Sequence, residues 1–214
     1  MPIKPNREYR DMTIEIRTAG EEEPQEERMV VRGYASTFNE PYTLFECEDF
    51  RFQEQVDAGA FENTDMSDVI MQYDHEGRVF ARISNNTLTV TTDERGLLIE
   101  ADLGGTEMGR QIYEEIRGGY TNKMSFGFTV DDEDEDDDLY DDDGKRVITR
   151  TIKSVRKLYD VSAVSIPANN ATEISVRNLT DGVIEKMQAE RLEREQMELR
   201  RRKLMLKLKM EGQK

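Results

Sequence analysis

The stretch KMSFGFTV, Lys123–Val130, sets Met124, Phe126, Phe128 and Val130 on alternate positions. A period of two is the mark of a half-buried strand, because successive side chains of an extended chain point to opposite faces. Ser125, Gly127 and Thr129 fill the positions between. A hydroxyl on or beside a buried strand needs a hydrogen-bond partner, and a glycine there lets another backbone approach closely.

The same period recurs on both sides. MTIEIR alternates at Met12, Ile14 and Ile16, and RMVVRGYASTF, VIMQYD, TLTVTT, GLLIEADL, RVITRTIKSV and KLYDVSAVSI follow the pattern. About seven or eight short strands with turn signals between them predict a mainly β fold with helices, a closed or nearly closed β-barrel that leaves no exposed sheet edge. TTDERGLL reads as a hairpin turning at Glu94 to Gly96. TEMGRQIYEEIRGG puts Met108, Ile112 and Ile116 on one helical face, opens on a Thr106 cap and stops at Gly118 and Gly119. A shorter helix is expected around Gln53 to Phe61.

A chain of 214 residues with 36% hydrophobic residues suits one domain with appendages better than two full cores. Residues 1–178 read as the barrel domain and 179–214 as a charged helical tail. The tail, GVIEKMQAERLEREQMELRRRKLMLKLKM, lacks aromatics and proline and is rich in strong helix formers. Its acidic first part and basic Arg200 to Lys209 suit docking to a protein partner, ahead of simple solvation or a membrane surface. The acidic run Asp131 to Asp143 reads as a long solvated hairpin loop. Calcium is the sharper alternative, but the order of Asp and Gly around Gly144 fails the EF-hand spacing and no glutamate closes the loop.

With 46 acidic against 30 basic residues the net charge is −16, which repels phosphate backbones and anionic membranes. Neither nucleic acid nor membrane is expected as a partner. A single cysteine, Cys47, allows no internal disulfide, and no secretory leader or bilayer-length apolar run stands out. The chain reads as soluble and intracellular.

Elimination narrows the chemistry. One His and one Cys cannot supply a zinc hydrolase site, so no metal is expected. GGTEMG lacks the Lys and Ser or Thr of a P-loop, and no other cofactor motif is present. Nothing singles out the paired carboxylates of an aspartic protease. What remains is a nucleophile activated by one base, and His75 in VIMQYDHEG is the only histidine. Each candidate also has an ordinary reading. Ser125 would bond a neighbouring carbonyl, and His75, before Glu76 and Gly77, would be a turn residue. Cys47, in FECEDF, stands among carboxylates, a poor setting for a nucleophilic thiolate.

From about Val30 to Val176 the sequence resembles the prohead (head maturation) proteases of tailed bacteriophages, whose fold is similar to that of herpesvirus assemblins. The stretches that carry the resemblance are VVRGYASTF, EQVDAGAF, VIMQYDHEG, DERGLLIEADL, IRGGYTNKMSFGF and LYDVSAVSIPAN. It implies a serine peptidase whose His and Ser fall on His75 and Ser125, with Asp160 of YDVSAVSIPA as the acidic third member. An ordinary solvent-facing strand residue is the alternative for Asp160. Acyl transfer by such a set needs an oxyanion hole, expected from backbone N–H groups. The resemblance further implies action in the bacterial host cytoplasm, inside the immature head. Its partners would be the major capsid protein and its scaffold segment, with the portal, the protease itself and a second copy of the chain as further candidates. A non-catalytic assembly or scaffold protein is the competing class, and a cysteine peptidase using Cys47 and His75 a third.

Overall fold

The computed structural model describes residues 7–12, 17–18 and 29–165, together with parts of a helix between 189 and 202. The chain divides into two compact units, Met1–Ala171 and Thr172–Lys214. In the second, Ala189, Leu192, Glu193, Gln196, Met197 and residues 200–202 are helical and exposed. Most of the strand expected at MTIEIR lies outside the described residues.

The first unit is mainly β. Among the described residues its strands are β1 (Glu8–Met12), β2 (Arg17–Thr18), β3 (Val30–Thr37), β4 (Tyr42–Glu46), β5 (Phe50–Val56), β6 (Ile70–Tyr73), β7 (Glu76–Arg82), β8 (Leu88–Thr92), β9 (Gly96–Asp102), β10 (Lys123–Tyr140) and β11 (Arg146–Val164), with a short 3-10 turn at Ile83–Asn85 and one α-helix, α1 (Glu107–Arg117). They form two sheets. One runs β1-β10-β11-β5-β4, with β6 also paired to β11 and β7 to β6, and the other runs β2-β3-β9-β8.

The expected barrel is not closed, and the reason lies in β11. RVITRTIKSV and KLYDVSAVSI are one strand of 19 residues rather than two. Its Arg146–Ile152 half pairs in parallel with β5, and Asp160–Ala163 pair in parallel with β6. Two short strands therefore sit end to end along one long neighbour, and β1, β4 and β7 are left as ends of the sheet. Apolar faces of both sheets meet in a single core that includes Val31, Leu97 and Ile99 from one and Met124, Phe126 and Val161 from the other. Phe126 and Phe128 stack at 4.6 Å between ring centroids.

Three expectations need correction. Residues 131–140 are not a loop, because β10 continues through them as strand and only the turn to β11 lies beyond Tyr140. Basic residues of β11 face the acidic run: Arg156 pairs with Asp131, Arg150 with Glu133 and Arg146 with Asp137. Cross-strand pairs of opposite charge favour strand where an acidic run alone would stay solvated. No helix spans residues 53–61, since β5 runs to Val56 with alternating burial and hydrogen-bonded turns follow. Within α1, Ile112 and Ile116 are buried but Met108 is 40% exposed.

The remaining local expectations hold. Thr106 Oγ1 accepts from Gly109 N at 2.9 Å as the helix cap, and Gly118 ends α1 with Gly119 at φ +75°. β8 and β9 form the expected hairpin, where Asp93 Oδ1 accepts from Arg95 N at 2.8 Å and from Gly96 N at 3.1 Å.

Candidate active site

The site is built on one face of β10 and β11. Their antiparallel register sets Ser125 opposite Ser162 and Gly127 opposite Asp160. Residues two apart in a strand share a face, so Ser125, Gly127, Asp160 and Ser162 form a patch on this face. β6 runs beside β11 and pairs Asp160 with Ile70 and Ala163 with Tyr73. The hairpin that leads from β6 into β7 therefore turns at the level of that patch.

Its turn is tight. Tyr73 pairs with Glu76 across it, and the two residues between, Asp74 and His75, have φ of +49° and +59°. A two-residue hairpin loop with both central residues at positive φ is the geometry whose twist matches the flanking strands. Asp and His tolerate that region better than most residues, although glycine would be less strained. Asp74 fastens the tip to the end of β11. Its carboxylate accepts from Ser165 N and Ser165 Oγ, both at 2.9 Å, and its N–H donates to Ala163 O at 3.0 Å.

This placement brings the three expected residues together. His75 Nδ1–H donates to Asp160 Oδ1 at 2.5 Å, and His75 Nε2 lies 2.6 Å from Ser125 Oγ. Ser125 is fully buried, Asp160 is 1% exposed and His75 8%. A carboxylate on Nδ1 holds the ring proton there, which leaves Nε2 able to accept from a hydroxyl. Asp160 is thus not a solvent-facing strand residue. Cys47, half-buried in the turn between β4 and β5, donates through Sγ to Phe50 O at 3.6 Å, while His75 faces Ser125.

Several neighbours were not singled out by sequence. Ser162 Oγ donates to Asp160 Oδ1 at 3.0 Å, the same oxygen that accepts from His75. Its position two residues after Asp160 was the available signal. Gly127 is required by close approach, because a Cβ there would stand 2.5 Å from Asp160 Oδ2 and 2.8 Å from the Tyr9 ring. Tyr9 lies with its ring centroid 4.4 Å from that of His75. Burial pushes its hydroxyl above the ordinary tyrosine range, against the opposing hydrogen bond and charge of Arg7. Arg7 itself reaches Asp160 Oδ2 at 3.7 Å. No sequence signal links β1 to Ser125, since the contact spans 115 residues.

Beneath this face lies a second charged group. Glu54, fully buried, accepts from Arg10 Nε at 2.6 Å, Arg150 Nη1 at 2.7 Å and Tyr42 Oη at 2.5 Å. Arg10 and Arg150 also share Glu8. Burial alone would lower both arginines, but the surrounding carboxylates hold them above their ordinary range. Among the described residues no group of three or more His, Cys, Asp or Glu is placed to hold a metal ion, and no helix is long and apolar enough to cross a membrane.

Searches of curated proteins and of solved structures return no match. The sequence profile of one family, described as Caudovirus prohead serine protease, matches residues 13–188. That span holds Ser125, His75 and Asp160 and most of both sheets, so the chain belongs to the caudovirus prohead serine proteases.

Proposed function

We propose that Ser125, His75 and Asp160 perform peptide-bond hydrolysis by acyl transfer during phage head maturation, with the major capsid protein and its scaffold segment as substrates. The observation that carries this is the unbroken chain Asp160 Oδ1, His75 Nδ1, His75 Nε2, Ser125 Oγ, with links of 2.5 and 2.6 Å. Ser125 attacks the peptide carbonyl while His75 takes its proton. The imidazolium, stabilised by Asp160, then gives that proton to the leaving amine. Water repeats the sequence on the acyl-enzyme and regenerates the serine. Ser162 steadies the Asp160 oxygen that faces the imidazole.

The test is co-expression with the coat protein precursor, with products read by mass spectrometry. Wild type is expected to release the scaffold segment and Ser125→Ala to leave the precursor intact. Equal processing by both would sink the serine reading, and loss in Cys47→Ala instead would favour the cysteine alternative.

A further inference from the structure

β1 lies along the edge of β10, antiparallel, with Asp11 opposite Ser125 and Tyr9 opposite Gly127. The Arg10 carbonyl oxygen accepts from Ser125 Oγ at 3.0 Å. Tyr9 covers His75, and Arg7 stands over the Tyr159 ring at 3.5 Å while facing Asp160. An extended segment that pairs beside a candidate nucleophile, with a carbonyl on its hydroxyl, stands where a peptide substrate would stand. β1 also precedes the residues matched by the family profile, which begin at 13. Ser125 Oγ has a single proton and two acceptors, Arg10 O and His75 Nε2. The Arg10 carbonyl therefore competes with the base for that proton, and β1 lies where it obstructs the site.

The Arg10 side chain points to the opposite face of β1, into the charged group around Glu54. It donates to both Glu54 oxygens, at 2.6 and 3.0 Å, and its guanidinium lies 5.8 Å from the Phe128 ring. When β1 leaves, Arg10 and Glu8 leave together. The net charge of the group is the same with or without that pair, but Glu54, fully buried, loses its two Arg10 donors and keeps Arg150 and Tyr42. A buried carboxylate that loses two of its donors is costly to leave so, and the vacated seat favours an incoming cationic donor.

We propose that the seat of Arg10 is a specificity pocket: a substrate strand replaces β1 on β10, places an arginine or lysine against Glu54 and Tyr42, and sets the carbonyl of that residue at Ser125. This rests on Ser125 being the nucleophile. β1 is the intramolecular occupant that a basic substrate strand must displace.

The test uses the full chain and a fluorophosphonate probe that labels active serines. Arg10→Glu sets a carboxylate against Glu54 and expels β1, and Arg10→Met removes the donors while keeping the alkyl contact should the first variant fail to melt cooperatively. Labelling of Ser125 is expected to be on the order of tenfold faster or more in these variants than in wild type. A capped peptide of residues 8–12, EYRDM, should slow labelling of the variants, and the same peptide with Gln for Arg should not. Wild type should also cleave model peptides with Lys before the scissile bond at least about tenfold better than those with Gln. Equal labelling rates in wild type and a folded variant, equal protection by both peptides, or indifference to Lys against Gln overturns the pocket while leaving Ser125 as nucleophile. Absence of Ser125 labelling in every folded variant, with coat still cut, removes the nucleophile and the pocket with it.

Discussion

At the scale of single residues, the site depends on contacts that tolerate little change. Gly127→Ala would drive a methyl to 2.5 Å from Asp160 Oδ2, so the carboxylate must turn away from the imidazole. Coat cleavage should fall steeply in that variant, while overpacking costs about 1–3 kcal/mol of stability by thermal melt. Retained activity would mean that Asp160 is not needed in its present place. Asp160→Asn should keep more activity than Ser125→Ala, since loss of the carboxylate in a triad costs about ten-thousandfold against about a millionfold for the nucleophile. The pattern of the residues alone left His75 open to being a turn residue and Ser125 to bonding a neighbouring carbonyl, and the family resemblance is what pointed to them and to Asp160. Their meeting was not legible in that pattern. It depends on His75 accepting φ +59° and on Asp74 tying the tip to Ser165, neither of which a pattern of apolar residues encodes.

At the scale of elements, period two identified β3, β6, β8, β9, β10 and β11, because each carries apolar residues at alternate positions that enter the core. It missed β4, which has no buried side chain along its length, and read β5 as helix although its burial alternates. The acidic half of β10 was illegible for a different reason: its partners are arginines of β11 that lie next to it only once the hairpin has formed. Phe126, fully buried and stacked on Phe128, is the centre of the strand pair, and Phe126→Ala should cost about 3–5 kcal/mol in denaturant melts. A cost near zero would place the core elsewhere. β1 should respond to acid through Glu8. Burial alone would raise that carboxyl, but the hydrogen bond and charge of Arg150, with Arg10, hold it below its ordinary range. A carboxylate lowered on folding contributes its full stability above the unfolded value, about pH 4.3, and loses it as pH falls through the lower folded value. Thermal melts of wild type should therefore decline more steeply below about pH 4.3 than those of Glu8→Gln. Parallel acid limbs would show that Glu8 does not hold β1.

At the scale of the whole molecule, the net charge of −16 and the buried carboxylates beneath β1 favour a basic approach to the site over an acidic one. The mainly β class was legible because most strands carry the pattern. Closure into a barrel was not, because strand count cannot reveal that β5 and β6 share one long neighbour. Deleting Thr180 to Lys214 should leave the first compact unit cooperatively folded and reduce incorporation into proheads, as read by melting and by particle composition. Loss of cooperative melting would count against that division. The central claim, that Ser125, His75 and Asp160 act as one unit, is tested most directly by a double-mutant cycle on coat processing, using Ser125→Ala, His75→Ala and the pair. Members of one catalytic unit are strongly non-additive, so each single variant should lose about a millionfold in turnover and the double variant no more, with all three melting within a few degrees of wild type. Two modest losses that multiply in the double variant would contradict the account, because they would mean that the serine and the histidine contribute independently.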